Sequence, residues 1–392
     1  MSTEKPAARK NRCARLESEA RMLETPVRVL EVLTVPFGKN GITKCVMNYI
    51  TRFDPSHVRC DLAVQNVPDA ESIRMIERIG GQVFVLGNRN SDPINYIHRL
   101  EIVVNEREEQ IVHAHGNSAT LYVEMLAAKR GGAAIRIPHS HNTTCKMKLA
   151  DKLLRRPFQK SYTHAAACGE EAGRWLFGDV PFLVLNNAVP AEHFHFDMQK
   201  RAETRAAFGI PQDAFTICHV GSFNEQKNQL FLVEAFAELL KTRPDARLVL
   251  VGDGKLKNDC ERQAAALNVT AEIVFAGVLD DVAGVLSAAD VFALPSLYEG
   301  LPLTLIEAQC AGLLCVASAN VTREAALTDL VSFCGIGDAR IFAEALSVAA
   351  CEDREAASED AIRLVREKGY DVSANAGMLS KWYETLTTGV KA

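Results

Sequence analysis

Several signatures of other protein classes are missing from this sequence. Its 11 cysteines include no C-x-x-C pair, which argues against a zinc ribbon or a disulfide framework and favours a reducing compartment. It has no metal-binding D-x-D motif, and the G-x-G-x-x-G of a dinucleotide oxidoreductase does not follow the first predicted strand. No apolar run reaches the length of a membrane span, and the basic N-terminus lacks an apolar core. We therefore expect neither a membrane helix nor a signal peptide.

The composition is that of an ordinary folded protein. Hydrophobic residues make up 48% and charged residues 24% of the 392 positions, which is enough for a core and argues against wholesale disorder. This length predicts two domains. The net charge of -5 gives no reason to expect nucleic acid as a partner. We expect a cytoplasmic protein in which residues 1–25 form an N-terminal tail with no assigned role.

Apolar, β-branched runs alternate with helical patterns, which indicates βαβ units and parallel sheets. The first series of predicted strands comprises Val27–Leu33, Cys60–Val64, Gln82–Leu86, Ile111–His115, Ala134–Pro138, His164–Ala167 and Phe182–Leu185. The second comprises Phe215–Val220, Arg247–Val251, Glu272–Phe275, Val291–Leu294 and Leu314–Ala317. A polar segment with Pro190 separates the two series, and a helical pattern at Val372–Leu386 follows them. Two doubly wound sheets predict ligand sites at the carboxyl ends of their strands.

The most informative segment runs from Ser296 to Glu307, directly after a predicted strand, and reads Ser-Leu-Tyr-Glu-Gly-Leu-Pro-Leu-Thr-Leu-Ile-Glu. Pro302 suits the first turn of a helix, because its missing N–H is not needed there. The N-terminus of such a helix is an anion site. Glu299 and Glu307 would flank a bound phosphate and could bind sugar hydroxyls. By composition alone, two solvated glutamates are an equally good interpretation.

The spacing Glu299-x7-Glu307, with Gly-Leu-Pro between, resembles the E-x7-E signature of the family-4 glycosyltransferases, which are retaining enzymes of the GT-B fold. The resemblance implies that Glu299 contacts the donor sugar and that Glu307 holds the ribose hydroxyls. It also implies that the donor diphosphate faces the segment containing Gly300, Leu301, Leu303 and Thr304.

The same resemblance implies a complete architecture. Residues 26–190 would form a Rossmann-like acceptor-binding domain, and residues 191–370 a Rossmann-like donor-binding domain, with a central cleft between them. The C-terminal helix, residues 371–392, would cross back to the first domain.

A second matching segment is His-Val-Gly-Ser-Phe-Asn-Glu-Gln-Lys-Asn, from His219 to Asn228. A lysine near a helix start places a point charge on a phosphate, and the alternative is a solvated lysine. The segment resembles the family's G-R-x-x-x-x-K loop, whose arginine and lysine bind the donor diphosphate. Lys227 matches that lysine, but Ser222 stands where the family has arginine, so one cation is missing from the leaving-group site.

Four histidines form two H-x-H pairs, His113 with His115 and His139 with His141. Residues two apart on a strand share one face, so a four-histidine metal site is one interpretation. The family resemblance favours another, in which His115 is catalytic and lies near the donor sugar and acceptor, with His141 and Asn142 on the acceptor side. For His113 and His139 we prefer structural hydrogen bonding at strand ends.

Two glycines and one basic segment complete the pattern. In the family, a glycine at the position of Gly41 lets the backbone approach the donor phosphates, and Gly252 matches a second glycine turn. Basic and apolar residues are interleaved over Lys146–Lys160, which suits an anionic membrane surface. An ordinary amphipathic surface helix is the alternative.

Taken together, the resemblance implies a retaining hexosyltransferase of polysaccharide biosynthesis. It would move a sugar from a nucleotide-sugar, which we expect to be a UDP-sugar, to a glycan or lipid-linked glycan, without a metal or other cofactor. A nucleotide-sugar 2-epimerase on the same fold is the first rival, and His115 argues against it. The second is a non-catalytic nucleotide-sugar-binding module, which the presence of Glu299 and Lys227 disfavours.

Overall fold

The computed structural model describes residues 25–38, 40–145, 147–348 and 353–389. These residues form two compact units. One comprises the described residues up to Asn186 together with those from Ser373 onward, and the other is Asn187–Val372. The sequence had suggested divisions after 190 and after 370. Most of the tail predicted for residues 1–25 lies outside the described residues.

The first unit contains a seven-stranded parallel sheet in the order β3-β2-β1-β4-β5-β6-β7, counted over the described residues. Its strands are β1 Val27–Leu33, β2 Val58–Val64, β3 Val83–Val85, β4 Ile111–Gly116, β5 Ile135–Ser140, β6 Ala166–Ala167 and β7 Leu183–Val184. Its helices are α1 Gly41–Ile50, α2 Ala70–Arg78, α3 Pro93–Glu106, α4 Tyr122–Arg130, α5 Lys148–Gln159 and α6 Glu170–Phe177. The central strands are buried along almost their whole length, as in a sheet covered on both faces.

Over its described residues, the second unit repeats the design with six parallel strands in the order β10-β9-β8-β11-β12-β13. The strands are β8 Thr216–Val220, β9 Arg247–Val251, β10 Ile273–Gly277, β11 Val291–Leu294, β12 Leu314–Ser318 and β13 Val331–Cys334. The helices are α7 Met198–Ala207, α8 Gln229–Leu240, α9 Lys257–Ala266, α10 Ala283–Ala288, α11 Leu303–Cys310, α12 Ala339–Ser347 and α13 Arg354–Glu367. Each sheet therefore places its strand ends, and the loops that follow them, at one edge.

The last helix, α14 at Val372–Thr388, packs in the first unit. Its Tyr383 is fully buried and contacts the ring of Phe53, with ring centroids 6.0 Å apart. Glu384 Oε1 lies 2.9 Å from His57 Nδ1. The predictions of two Rossmann-like parallel-sheet domains and of a returning C-terminal helix are confirmed.

One strand was missed by the sequence analysis, and another was predicted too short. Strand β13 was not predicted, because it lies at the sheet edge, is only partly buried, and carries Ser332 and Cys334 instead of an apolar run. His139 was placed after its strand, whereas β5 continues through it to Ser140. The ladder from His115 and Gly116 on β4 to His139 and Ser140 extends the strand past Pro138.

Candidate active site

The loop after β11 holds Glu299 in a set of polar contacts. Its Oε1 accepts from Ser296 Oγ at 2.7 Å and lies 2.6 Å from Lys227 Nζ. Its Oε2 accepts from Gln226 Nε2 at 3.1 Å. Both charged side chains are largely buried, with 17% of Lys227 and 8% of Glu299 exposed. The structure thus brings together two residues that the sequence singled out separately.

The loop that carries Lys227 is shaped by its own polar side chains. Asn224 Oδ1 accepts from the Lys227 amide at 3.0 Å, and Asn228 adopts a left-handed conformation with φ of 56° before α8 begins. The amide of Leu297 donates to the carbonyl of Gln226 at 2.8 Å, which joins this loop to the loop of Glu299. Local turn chemistry and one interloop bond therefore fix the position of the lysine.

Helix α11 begins immediately after this loop. Pro302 is its N-cap and not a residue of its first turn, a difference of one position, and no side chain from the described residues caps the helix. Thr304 Oγ1 is buried, and it has no hydrogen-bond partner among the described residues. Glu307 is 1% exposed on the same helix. An uncapped N-terminus with a buried hydroxyl beside it is suited to an anion.

The remaining residues predicted for the donor site differ in what they contribute. Gly252 has a φ of 134°, and an added Cβ would lie 2.2 Å from the carbonyl oxygen of Gly221, so packing requires glycine there. An added Cβ at Gly41 or at Gly300 would meet nothing within 4 Å. Ser222, at the position of the family arginine, is exposed.

Two residues of this region that contact Glu299 were not predicted as site residues, namely Ser296 and Gln226. Ser296 and Gln226 are ordinary polar residues whose contacts with Glu299 arise only in the fold. His219 is buried on β8 and its Nδ1 donates to the carbonyl of Ala293 at 2.8 Å. Burial lowers the pKa of His219 to about 4, so the ring is neutral and serves structure.

In the first unit, the four histidines lie side by side at the carboxyl ends of β4 and β5. The rings of His113 and His139 stack with centroids 5.1 Å apart, and those of His139 and His141 with centroids 4.2 Å apart. His113 Nε2 and His139 Nδ1 are 3.1 Å apart, and His115 Nδ1 is 2.8 Å from His141 Nε2. The H-x-H spacing therefore builds one cluster, with exposed Asn142 following it.

Glu31 on β1 is the residue of this cluster that sequence reasoning missed. Its Oε2 lies 2.6 Å from His115 Nε2, and its Oε1 accepts from the Tyr383 hydroxyl at 2.9 Å. Burial works to raise the pKa of Glu31, but the contacts with His113 and His115 outweigh it and hold that pKa well below its usual range. The signal was available, because a lone acidic residue within an apolar strand must be paired when it is buried.

The imidazoles of His113, His115 and His139 offer ring nitrogens within 4.8 Å of one another, a separation at which three ligands could hold a metal ion. In the structure, the nitrogens of His113 and His115 contact other protein groups instead. His139 Nε2 is buried without a partner among the described residues. An adjacent cavity of about 10 Å³, lined in part by Tyr49 and His139, has room for roughly one water molecule.

The predicted basic segment forms α5, although Lys146 falls outside the described residues. The apolar residues of this helix lie on two faces. Phe158 is fully buried, whereas Leu149 and Leu153 are 73% and 69% exposed. Arg155 belongs to the fold and not to a membrane-facing surface. It pairs with Asp151 at 2.8 Å and donates to the carbonyl of Leu176 at 2.8 Å.

Comparison with known proteins places the chain in a family. Residues 200–351 match the family described as "Glycosyl transferases group 1". Over 376 residues the chain is 33% identical to "Putative glycosyltransferase EpsF" of Bacillus subtilis (strain 168), which covers 92% of this chain and 97% of that protein. The chain belongs to the group 1 glycosyltransferases.

This glycosyltransferase also resembles one protein over part of its sequence and another in its fold. It is 36% identical over 138 residues to the "UDP-Gal:alpha-D-GlcNAc-diphosphoundecaprenol alpha-1,3-galactosyltransferase" of Escherichia coli, covering 34% of this chain and 36% of that one. Its fold is that of Anabaena Alr3699/HepE, whose crystal structure holds UDP and glucose. The TM-score is 0.70 at 15% identity, and the match covers 92% of this chain and 99% of that one. Among the described helices, none has the length and apolar character needed to cross a bilayer.

Proposed function

We propose that this glycosyltransferase is a retaining family-4 enzyme that moves a hexose from a UDP-sugar to a glycan or lipid-linked glycan in polysaccharide assembly. In this proposal the second unit binds the donor. The acceptor binds the first unit near His115, His141 and Asn142. The enzyme works in the cytoplasm, at the inner face of the membrane.

The observation that carries this proposal is the arrangement of Lys227, Glu299 and the start of α11. An ammonium group, a carboxylate and an uncapped helix N-terminus converge on the ends of two neighbouring strands, β8 and β11. A nucleotide-sugar needs this combination, because its diphosphate is anionic and its sugar carries hydroxyls. Glu307, buried on α11, suits the ribose hydroxyls in this proposal.

Transfer would begin as the bond between the sugar C1 and the diphosphate oxygen breaks, with its electron pair leaving on the diphosphate. The acceptor oxygen then bonds to C1, and its proton passes to the diphosphate oxygen that has left. Lys227 and the amides of Gly300–Thr304 would stabilise the departing diphosphate, which is electrostatic catalysis by groups already in position. Glu299 would stabilise positive charge developing on the sugar. Because these groups neutralise the phosphates, we propose that turnover needs no metal.

The choice of UDP draws on two proteins of known ligand or activity. The Escherichia coli relative is named for UDP-Gal, and the Anabaena structure contains UDP. The lipid-linked acceptor draws on the diphosphoundecaprenol in the first of these names. Exposed Leu149 and Leu153, with the basic residues of α5 beside them, support contact with an anionic membrane surface.

A panel of UDP, GDP, ADP and their sugars tests the donor by thermal shift. A ligand at about 100 times its dissociation constant stabilises a protein by about 2.7 kcal/mol, which is enough to rank the three bases. Incubation of the preferred sugar donor with membrane-lipid extract, followed by NMR of the product's anomeric configuration, tests transfer and retention. An inverted product, or a donor that is epimerised without any acceptor, would contradict the proposal.

A further inference from the structure

Glu31 joins three elements of the first unit that are distant in sequence. Its side chain is 2% exposed on β1, and one carboxylate oxygen faces β4 while the other faces α14. The groups that meet these oxygens are His115 Nε2 and the Tyr383 hydroxyl. A buried carboxylate is costly unless donors satisfy it, so these two contacts constrain both partners.

The carboxylate determines which nitrogen of His115 is protonated. A carboxylate only accepts hydrogen bonds, so His115 Nε2 must carry a proton. His115 is 4% exposed, and burial and neighbouring His113 lower its pKa against the opposing effect of Glu31, which leaves the ring neutral near neutral pH. Its Nδ1 is then a bare acceptor 2.8 Å from His141 Nε2, which must donate. The charge of Glu31 therefore determines the hydrogen-bonding role of His141 through His115.

A second branch starts from the same carboxylate. The hydroxyl of Tyr383 gives its one proton to Glu31, so its oxygen must accept from His113 Nδ1 at 2.5 Å. Cys45 on α1 and Cys60 on β2 also interact with Glu31. Tyr49 and His139 line the same small cavity as Glu31. Burial raises the pKa of both thiols and of Tyr383, so all three are uncharged.

We propose that Glu31 is a positioning residue of the acceptor site, which holds His115 in its Nε2–H tautomer and thereby presents His141 in one orientation. The proposal rests on the proposed function, in which these histidines serve the acceptor. His115 is buried with both ring nitrogens engaged by protein groups, whereas His141 is only partly buried. His141 therefore contacts the acceptor, and His115 transmits the orientation that Glu31 imposes. A carboxylate that orients an imidazole acts in this way in other enzymes.

The first test is ¹⁵N NMR of the histidine side chains in the full chain, with the His115 signal assigned by its loss in His115→Asn. We expect a protonated Nε2 and a bare Nδ1 in the parent protein. Glu31→Gln should change this pattern, because His115 and Tyr383 contact different oxygens of the carboxylate, and in glutamine one of those positions becomes an NH₂ group that donates instead of accepting. Glu109→Gln is the matched control, since Glu109 is also buried in this unit and its pKa is raised to about 9 by burial and Asp61, so glutamine resembles its protonated form.

The second test is kinetic. Removal of a carboxylate that orients a metal-bound imidazole costs about 10- to 100-fold in activity, and we expect an effect of this order for His141. We expect that loss in kcat for Glu31→Gln, a partial recovery in Glu31→Asp, and parent-like kcat in Glu109→Gln. UDP affinity by calorimetry should stay unchanged in all three, with melting temperatures confirming that each is folded.

The outcomes separate the two proposals. If His115 in the parent carries its proton on Nδ1, or binds one equivalent of metal per chain, the positioning role is overturned whatever the activity. The positioning role is also overturned if Glu31→Gln has the same His115 tautomer and the same kcat as the control Glu109→Gln. If the parent transfers no sugar, the proposed function fails, and the NMR arm still decides whether Glu31 sets the tautomer.

Discussion

Lys227 Nζ lies 2.6 Å from Glu299 Oε1, across 72 residues of sequence. The family resemblance implies that the lysine binds the donor diphosphate and that the glutamate contacts the donor sugar. Their direct contact means that a diphosphate bound at Lys227 competes with Glu299 for the ammonium group. In the proposed function, the two residues would therefore act as a coupled pair in donor binding.

Replacing Glu299 with alanine should separate binding from turnover. Because the substitution releases Lys227, UDP alone should bind as well as in the parent or more tightly. Turnover with the UDP-sugar should fall at least tenfold, since the lost contact acts on the sugar as it becomes cationic. Calorimetry with UDP and steady-state rates measure the two effects. Weaker UDP binding with unchanged turnover would assign Glu299 to the nucleotide instead.

Replacing Glu307 with alanine should give the opposite pattern for the nucleotide. A hydrogen bond to a charged group is worth about 1.5–3 kcal/mol, so UDP affinity should fall roughly 10- to 150-fold. The control is Glu225→Ala, which removes an exposed carboxylate from the Lys227 loop. A change at buried Gln309, on the same helix as Glu307, is less suitable because folding of that variant would have to be shown first. Parent-like UDP affinity in Glu307→Ala would remove the ribose role.

Chelation should leave transfer intact. The cation and the helix N-terminus are expected to neutralise the diphosphate without a metal, so rates in EDTA should equal those in its absence. The measurement is the initial rate after dialysis against EDTA, with Mg²⁺ or Mn²⁺ added back. Loss of activity that either ion restores would contradict this expectation.

Membrane binding should depend on the outer face of α5. Leu149→Ser with Leu153→Ser removes two exposed side chains, each worth about 1.5–3 kcal/mol when buried, so binding to anionic vesicles should weaken at least about tenfold. Ile94→Ser, an equally exposed apolar residue on α3, is the control. Equal vesicle binding by the double variant and the control, or none by the parent, would make α5 an ordinary surface helix. Arg155 is unsuitable for this test because it pairs with Asp151 and donates to the carbonyl of Leu176, so its replacement would also remove contacts within the unit.

Glu109 should make stability depend on pH. Burial, and then Asp61, raise its pKa from 4.5 to about 9, so between these values the folded chain keeps a proton that the unfolded chain has lost. The free energy of unfolding should therefore fall as pH rises from about 4.5 to about 9. Glu109→Gln should flatten this slope in urea titrations at several pH values. Parallel slopes for variant and parent would show that Glu109 titrates normally.

Most of the order of elements could be predicted from the sequence alone, with β13 missed, whereas the donor-side residues stay predictions. Strand β1, β9 and β11 have the predicted bounds, because buried parallel strands are continuous apolar runs bounded by turn residues. Glu299 and Lys227 stand out because each lies in a loop between a strand and the helix that follows it, whereas Glu307 stands out only through its spacing from Glu299, which resembles the E-x7-E signature. Those loop positions follow from local sequence, and in doubly wound sheets they mark the ligand edge.

Only the tertiary structure decided which groups meet. Glu31, Tyr383 and the histidine pairs come from β1, α14, β4 and β5, and their contacts depend on the strand order and on the return of the last helix. The same holds for the contact of Gln226 and Ser296 with Glu299, and for the division of α5 into a buried and an exposed apolar face. Hydrogen bonds between side chains far apart in sequence leave no periodic signal, because their partners are fixed by packing and not by local propensity.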